Sequence, residues 1–331
     1  MIGLTPEHYV EAEPEVTKLE LGQSDKLESV DFVRGDVATT NFKRRARLHQ
    51  SQWRERHGIE PGIQRAPKDS KKPDRLIGSR IALSRAFDKG ENFLTREARE
   101  AARNRVTHKE PLQTLNSDRL YGDLLSSMPM CFNLFGALYA DLALADAAVK
   151  TWWPDTPGSV SAVRFEWSPL RGTPGRFLGN RSAFDVAFEL DMGDGTRGVI
   201  GVETKYHENC KPEAPPDPSK RLPRYTQVSK ASGAFAAGAV DAFLGTKLQQ
   251  IWLDHLLALS MLQDDAGEWT WARFVLVHPE RNPSYAVVAR DYCAWLTEPA
   301  ATFDVVTIES LLAAEALPND LVAAFRDRYL W

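Results

Sequence analysis

Two neighbouring segments of the chain alternate large apolar residues with small or polar ones. In the first segment, residues 183–190, the large apolar residues are Phe184, Val186, Phe188 and Leu190. In the second, residues 199–205, the alternating set is Ile200, Val202 and Thr204. A period of two is typical of a β-strand with one face on the core. Residues 192–196 (MGDGT) lie between them and contain glycines, which tolerate positive φ, so the pattern predicts a β-hairpin.

The rest of the pattern predicts an α/β domain around this hairpin. Short apolar or alternating runs predict three further strands, at 160–167, 273–278 and 303–308. Amphipathic or apolar segments predict helices at 42–58, 92–109, 131–150, 225–244, 247–263 and 284–296. Thr95 is in position to cap the second of these helices. Two proline-rich segments are predicted to be a linker and a loop, at 61–72 and 207–224.

The polar positions of the hairpin hold the candidate chemistry. If the hairpin is symmetric about its turn, Asp185 lies directly opposite Glu203. Opposed side chains have Cβ atoms ~5 Å apart, and like charges there are destabilising, so we expect a proton or a cation between the two carboxylates. Lys205 projects from the same face as Glu203. Small residues, among them Ala187 and Gly201, are predicted to keep this face open for a metal and a substrate.

Length and composition restrict the class of protein. The chain has 331 residues, of which 43% are hydrophobic and 26% charged, as in ordinary soluble globular proteins. No apolar run approaches the ~20 residues of a membrane-spanning helix, so we expect no membrane contact. The first residues are acidic, unlike a secretory signal, and the three cysteines show no metal or disulfide pattern. We therefore expect a cytoplasmic protein.

Charge is distributed unevenly, although the net charge is only −4. Residues 1–31 sum to −6, residues 32–110 to +10 and residues 111–331 to −8. A basic segment in an acidic protein is typical of nucleic-acid contact, and solvated helix faces are the other interpretation. On the first predicted helix the candidate nucleic-acid contacts are Arg44, Arg45, Arg47 and Arg54.

Charge and periodicity together predict three parts of the chain. Residues 1–40 form an acidic N-terminus with little periodicity, which we expect to be poorly ordered. Residues 41–110 form a basic helical extension, and residues 111–331 form the α/β domain that carries the hairpin.

The spacing of the candidate residues resembles that of the PD-(D/E)XK nuclease superfamily. Asp185 is followed, after seventeen residues, by Glu203-Thr204-Lys205. Segments 126–136 (SSMPMCFNLFG) and 165–169 (FEWSP) extend the resemblance, which is strongest to an uncharacterised restriction-endonuclease-like group and covers about residues 40 to 331. The residue before the first acid is Phe184, where the superfamily often has proline.

This resemblance implies a fold and an activity. The fold would be a restriction-endonuclease-like core, with a small mixed β-sheet flanked by helices. The activity would be metal-dependent hydrolysis of DNA in defence or DNA processing, with Mg²⁺ (or Mn²⁺ in its place), and a homodimer is a possible state. The implied ligands are Asp185, Glu203 and the Thr204 carbonyl, and Lys205 would help to activate the attacking water.

Two further polar residues are candidates for the site. Glu166 matches the FEWSP segment and, if its strand is adjacent, is a further metal-site acid or a neighbour of one; an ordinary surface glutamate is the alternative. Gln227 lies near a helix start, where related nucleases place a polar residue close to the metal.

The main alternative function is a non-catalytic DNA-binding or assembly protein that kept the nuclease fold. Loss of an acid or of the lysine would favour it, and all three residues are present. A surface hairpin with a solvated charge pair is the alternative interpretation of the site itself. The chain has no Walker-type phosphate loop and no G-x-S-x-G nucleophile motif, so neither an ATPase nor a serine hydrolase is indicated.

Overall fold

The structure, a computed structural model, describes residues 41–66, 71, 73–171, 173 and 176–331. The expectation made above for residues 1–40 lies outside these residues. The described chain folds around a five-stranded mixed sheet with a separate two-stranded sheet at its N-terminal side.

The large sheet has its strands in chain order. They are β3 (Ser159–Trp167), β4 (Phe184–Asp191), β5 (Arg197–Thr204), β6 (Trp269–His278) and β7 (Phe303–Thr307). The first three are antiparallel, and β5, β6 and β7 are parallel. All five predicted strands are present, and the mixed sheet flanked by helices agrees with the predicted fold class.

Helices cover this sheet. Before β3 the chain forms α1 (Asn41–Arg56), α2 (Leu83–Lys89), α3 (Arg96–Thr107), α4 (Ser117–Gly122), α5 (Ser127–Ala140) and α6 (Leu142–Trp152). After β5 it forms α7 (Leu222–Ser232), α8 (Ala239–Phe243), α9 (Gln249–Met261), α10 (Pro283–Cys293), α11 (Pro299–Thr302), α12 (Ile308–Ala313) and α13 (Asn319–Tyr329). Thr95 caps α3 as predicted, because its side chain accepts a hydrogen bond from the Ala98 amide.

Two predicted helices are each split in two. Asp141 ends α5 and caps α6 by accepting hydrogen bonds from two amides, which favours a new helix over continuation of the old one. The predicted helix 225–244 is interrupted between α7 and α8, where Gly233 and Gly238 have φ of 67° and 85°. In the described part of the chain no single helix is long and apolar enough to cross a membrane; α5 and α6 together pass by length and composition, with a 118° bend between them.

Both faces of the central strands are buried, contrary to the predicted open face. Val186, Phe188 and Ile200 pack on the side of α5, and Ala187 belongs to the second core cluster, on the side of α9. The space beside Gly201 is filled by the Phe184 ring, which a Cβ at position 201 would overlap. No room for a substrate remains over the middle of the sheet, so any site must lie at the strand ends.

Residues 41–110 are part of the same core rather than a separate helical extension. Residues of α1 and α3, such as Trp53 and Ala102, belong to the same cluster as α5 and β4. Arg328 of α13 donates a 2.7 Å hydrogen bond to the Asn92 carbonyl. The predicted linker 61–72 is wrong in part, because Pro61–Gln64 forms β1, which pairs antiparallel with β2 (Arg75–Ile81).

Candidate active site

The hairpin brings the two predicted acids close together. The observed pairs run from Asp191 with Arg197 to Val186 with Val202, and Asp185 and Glu203 are the next residues along the two strands. Asp185 is the second residue of β4, and Glu203 is the penultimate residue of β5. Asp185 therefore lies near the start of β4 and Glu203 near the end of β5, at the same end of these two antiparallel strands.

Thr204 fixes the position of the Asp185 carboxylate. Its backbone N–H and its hydroxyl both donate to Asp185 Oδ2, at 2.8 and 2.7 Å. In a strand the N–H and C=O of one residue point to the same side. The Thr204 carbonyl therefore points toward the strand of Asp185, which is the orientation that a shared cation would require.

Lys205 and Glu203 form a buried ion pair. The Lys205 Nζ lies 2.6 Å from Glu203 Oε1, and the two side chains are 11% and 12% exposed. The Lys205 amide donates to the Val277 carbonyl at 2.8 Å, so the parallel neighbour β6 holds the backbone from which the lysine projects. Gln250, at the start of α9, donates to the same Glu203 oxygen at 3.3 Å. These contacts thus hold the Lys205 amine and the Glu203 carboxylate in position.

Glu166 lies near the two acids, at the end of β3. It is on β3, next to Trp167, which pairs with Phe184. Its φ is 48°, a left-handed value that is unusual for a glutamate. Two side chains hold this backbone in place: Arg171 donates to the Glu166 carbonyl at 2.5 Å, and Gln113 does so at 3.2 Å.

All three carboxyl groups have a raised affinity for protons. Burial, followed by the charges of Asp185 and Glu203, raises the pKa of Glu166 to about 8. Burial and the charge of Asp185 raise the pKa of Glu203 to about 7. Burial also raises the pKa of Asp185, against the opposing effect of Lys205. Burial alone would lower the pKa of Lys205, but the neighbouring acids, Glu203 first, raise it well above its usual value.

This donor set suits a hard divalent cation. Two buried carboxylates and a backbone carbonyl are oxygen ligands of the kind that Mg²⁺ prefers, and Mg²⁺ keeps several waters of its own. Three acids face one lysine, so a dication would offset the excess negative charge. Among the described residues, no group of three or more His, Cys, Asp or Glu side chains is arranged to hold a metal.

Gln227 does not occupy the predicted place. It is exposed on α7 and accepts a hydrogen bond from Arg224 at 3.1 Å. The glutamine that contacts a site acid is Gln250, and Asp254 lies buried one turn further along α9. The signal that could have identified them is their spacing of four on a mostly apolar helix, which places both on one face.

The predicted nucleic-acid arginines differ in exposure. Arg44 is exposed, whereas Arg45 and Arg47 are half-buried. Arg54 is buried, and its Nε donates to the Gly78 carbonyl of β2 at 2.8 Å. Its assignment as a nucleic-acid contact is therefore wrong, because the guanidinium faces the protein.

An arginine that the sequence analysis missed lies near the acids. Arg119 of α4 is 46% exposed and approaches Glu208 at 3.7 Å, three residues after Lys205. Its Nε donates to the Ser126 hydroxyl at 2.6 Å, and its charge favours the ionised forms of Glu166 and Asp185. A cation half open to solvent beside buried acids can attract an anionic substrate to them.

Comparison with known proteins bears on this geometry. A family model described as the PD-(D/E)XK nuclease superfamily matches residues 37–331. No curated protein and no solved structure gives a significant match. The matched range includes every residue of the site described above and nearly the whole chain, so the chain belongs to the PD-(D/E)XK nuclease superfamily.

Proposed function

We propose that this protein is a metal-dependent nuclease that hydrolyses the phosphodiester bonds of DNA. The observation that carries the proposal is the buried pair Asp185 and Glu203, with Lys205 2.6 Å from Glu203. A structural ion pair needs one acid and one base. Here a third acid, Glu166, adds negative charge that only a proton or a cation can balance.

Asp185, Glu203 and the Thr204 carbonyl would hold Mg²⁺, and Mn²⁺ could replace it. Such an ion neutralises charge on the phosphate and lowers the pKa of a bound water. Thr204 keeps Asp185 Oδ2 in place through two hydrogen bonds, so the carboxylate does not have to reorganise when a ligand arrives. Gln250 and Lys205 together orient Glu203.

Lys205 would position the attacking water and stabilise the charge that develops on the phosphate. A buried ammonium group acts strongly on such charge, because little solvent screens it. Its pKa is raised, so the amine is protonated at neutral pH and serves as a hydrogen-bond donor and cation. Arg119, at the exposed side of the site, would bind a neighbouring phosphate. From the family resemblance we infer a role in defence or DNA processing.

A cleavage assay tests this function. Supercoiled plasmid, linear duplex, single-stranded DNA and RNA are incubated with Mg²⁺, Mn²⁺ or EDTA. We expect metal-dependent cleavage of DNA by the wild type and a loss of at least about 100-fold in Lys205→Ala. Glu189→Gln is the matched control, because Glu189 is a buried acid on the same strand as Asp185 whose partner is Arg164, 2.5 Å away.

Two results would count against the proposal. One is wild-type activity in the Lys205→Ala protein. The other is no cleavage of any nucleic acid with either ion, which would favour the alternative function, a DNA-binding or assembly protein with the nuclease fold. Equal losses in Glu189→Gln and Lys205→Ala would attribute the effect to general destabilisation of β4 and β5.

A further inference from the structure

The two-stranded sheet β1–β2 exposes a pair of large apolar side chains. Ile63 of β1 pairs directly with Leu76 of β2. The two are 58% and 53% exposed, the highest values among the large apolar residues of the described chain. Directly opposed residues of antiparallel strands point to the same face. The pair therefore forms one small apolar patch that the protein's own core does not cover.

This sheet is held firmly at its base. On its other face Ile77 and Ile81 are buried. Arg54 of α1 donates to the Gly78 carbonyl of β2 at 2.8 Å and also to the Ile59 carbonyl, two residues before β1, so one guanidinium joins β2 and the segment that leads into β1 to the helix. The Ser79 carbonyl accepts from the Leu124 amide at 3.1 Å. Ile63 and Leu76 thus project from a sheet that is bonded to the rest of the protein.

Positive charge lies beside the apolar pair. The described residues between 61 and 81 include four basic side chains, Arg65, Lys71, Arg75 and Arg80, and one acidic side chain, Asp74, net +3, in a chain of net −4. Arg65 and Arg75 are exposed, and Arg75 adjoins Leu76. A second copy of the chain would bring two such positive elements together, which is unfavourable. A polyanion complements the charge, and its apolar parts can cover the leucine and isoleucine.

The sheet also has a defined place relative to the acids. Arg80 lies four residues after Leu76 on β2, beyond an irregularity at which the β2 partner of β1 shifts from Ile77 to Ile81. Arg80 forms a β-bridge with Asp123, the residue that follows α4, and α4 carries Arg119 beside the acid site. Through β2 and Asp123 the strand that carries Leu76 is therefore connected to the helix that carries Arg119.

We propose that β1–β2 is a second DNA-contacting element of this nuclease, one that selects duplex DNA. The proposal rests on the function proposed above. The two-stranded ribbon would enter the major groove, with Ile63 and Leu76 against thymine methyl groups and base edges and with Arg65 and Arg75 on the flanking phosphates. The major groove of B-form DNA admits a two-stranded ribbon, whereas the deep, narrow major groove of duplex RNA does not.

Binding experiments without metal test the proposal. Fluorescence anisotropy in EDTA measures the affinity of the full chain for a duplex of about 20 base pairs as DNA, as DNA with uracil in place of thymine, and as RNA. We expect the wild type to prefer thymine DNA. The double variant Ile63→Ser with Leu76→Ser should bind it at least about tenfold more weakly and lose the preference over uracil.

The salt dependence of binding tests Arg65 and Arg75 separately. In Arg65→Gln with Arg75→Gln, the slope of log affinity against log salt should fall by about 1.8, because each lost phosphate contact removes about 0.9. Exposed residues elsewhere give matched controls of equal size and charge change. Leu142→Ser with Val287→Ser, and Arg290→Gln with Arg326→Gln, should leave affinity, base preference and slope unchanged. Thermal melting of every variant verifies folding.

Three outcomes overturn the proposal, and they are distinguishable. Wild-type binding and base preference in both β1–β2 variants, while the wild type still cleaves DNA, reject this element and leave the nuclease function intact. A change from dimer to monomer in Ile63→Ser with Leu76→Ser, with DNA affinity unchanged, identifies a second copy as the occupant. A wild type that neither binds nor cleaves any nucleic acid rejects both proposals together.

Discussion

Replacing Glu166 by glutamine should make the metal-free protein more resistant to alkaline pH. The Glu166 carboxyl lies beside Asp185 and Glu203, and burial together with their charges raises its pKa to about 8. In the unfolded chain the same group has a pKa near 4.5. The folded state therefore holds a proton that the unfolded state has already released over the whole interval between these values.

The direction in which stability changes with pH follows from this difference in pKa. A group whose pKa is raised by folding contributes stability that is complete below its unfolded pKa and is lost as the pH rises through its folded pKa. The loss is about 1.4 kcal/mol per pH unit, and it levels off near pH 8. Between pH 6.5 and 8 it sums to at most about 1.5 kcal/mol, because Glu166 keeps some contact with solvent. The ordinary pKa of histidine, about 6.5, lies at the lower end of this window, but the histidines change the stability of the variant and the wild type alike and cancel in the difference.

Urea unfolding in EDTA at four pH values from 6.5 to 8 measures the effect. The difference in unfolding free energy between Glu166→Gln and the wild type should grow by about 1 to 1.5 kcal/mol in favour of the variant. Glu189→Gln controls for loss of a buried acid, since it breaks the pair with Arg164 without changing the acid site. Wild-type and Glu166→Gln curves that stay parallel across this range would refute the proposed crowding of carboxylates.

Three further predictions follow from the same geometry. Lys205→Ala should retain Mg²⁺ or Mn²⁺ binding in calorimetry while Asp185→Asn loses it, because only the carboxylate is a ligand; equal metal affinity in both variants would contradict the assignment. Gly201→Ala should lower the unfolding free energy by about 1–3 kcal/mol in urea titrations, because the new methyl overlaps the Phe184 ring; an unchanged value would show that the ring moves freely. Burial lowers the pKa of His255 to about 3, so its stability contribution is complete above about pH 6.5 and falls by up to about 1.4 kcal/mol per unit as the pH drops. In His255→Asn the unfolding free energy should decrease less steeply as the pH drops, as measured by urea unfolding, and a decrease as steep as that of the wild type would contradict this role of His255.

The sequence predicted the hairpin and its register because two independent patterns agree there. Alternation identifies each arm, and the glycine-rich turn fixes where the arms meet, so the opposition of Asp185 and Glu203 needs no tertiary information. The strands β6 and β7 were also recognisable, since short apolar runs bounded by polar turns fit buried parallel strands. Such patterns depend only on residues that are close in sequence, so contacts between distant parts of the chain do not change what they predict.

Other features depend on contacts between distant parts of the chain. Alternation suggested that Gly201 lies on an open face, but the Phe184 ring crosses to that face at the start of β4 and α9 covers the rest. Gln227 and Gln250 are equally polar and both lie on helices, and only the packing of α9 on β5 and β6 brings Gln250 to Glu203. A one-dimensional pattern contains no information about which helix lies over which strand.

The distribution of charge along the chain likewise does not show which charged side chains are buried. The basic segment 32–110 suggested that its arginines form a nucleic-acid surface, yet Arg54 is buried inside the protein, where it joins α1 to β2 and to the segment that leads into β1. Arg328, from the acidic part of the chain, is likewise buried, over the Trp53 ring at 4.4 Å, and it contacts Asn92. Such buried guanidinium groups tie the first and last described helices into one core. Among the cations that stay exposed are Arg65, Arg75 and, beside the acids, Arg119. A surface for DNA is therefore better sought by subtracting the buried arginines from the basic segment than by counting its charge.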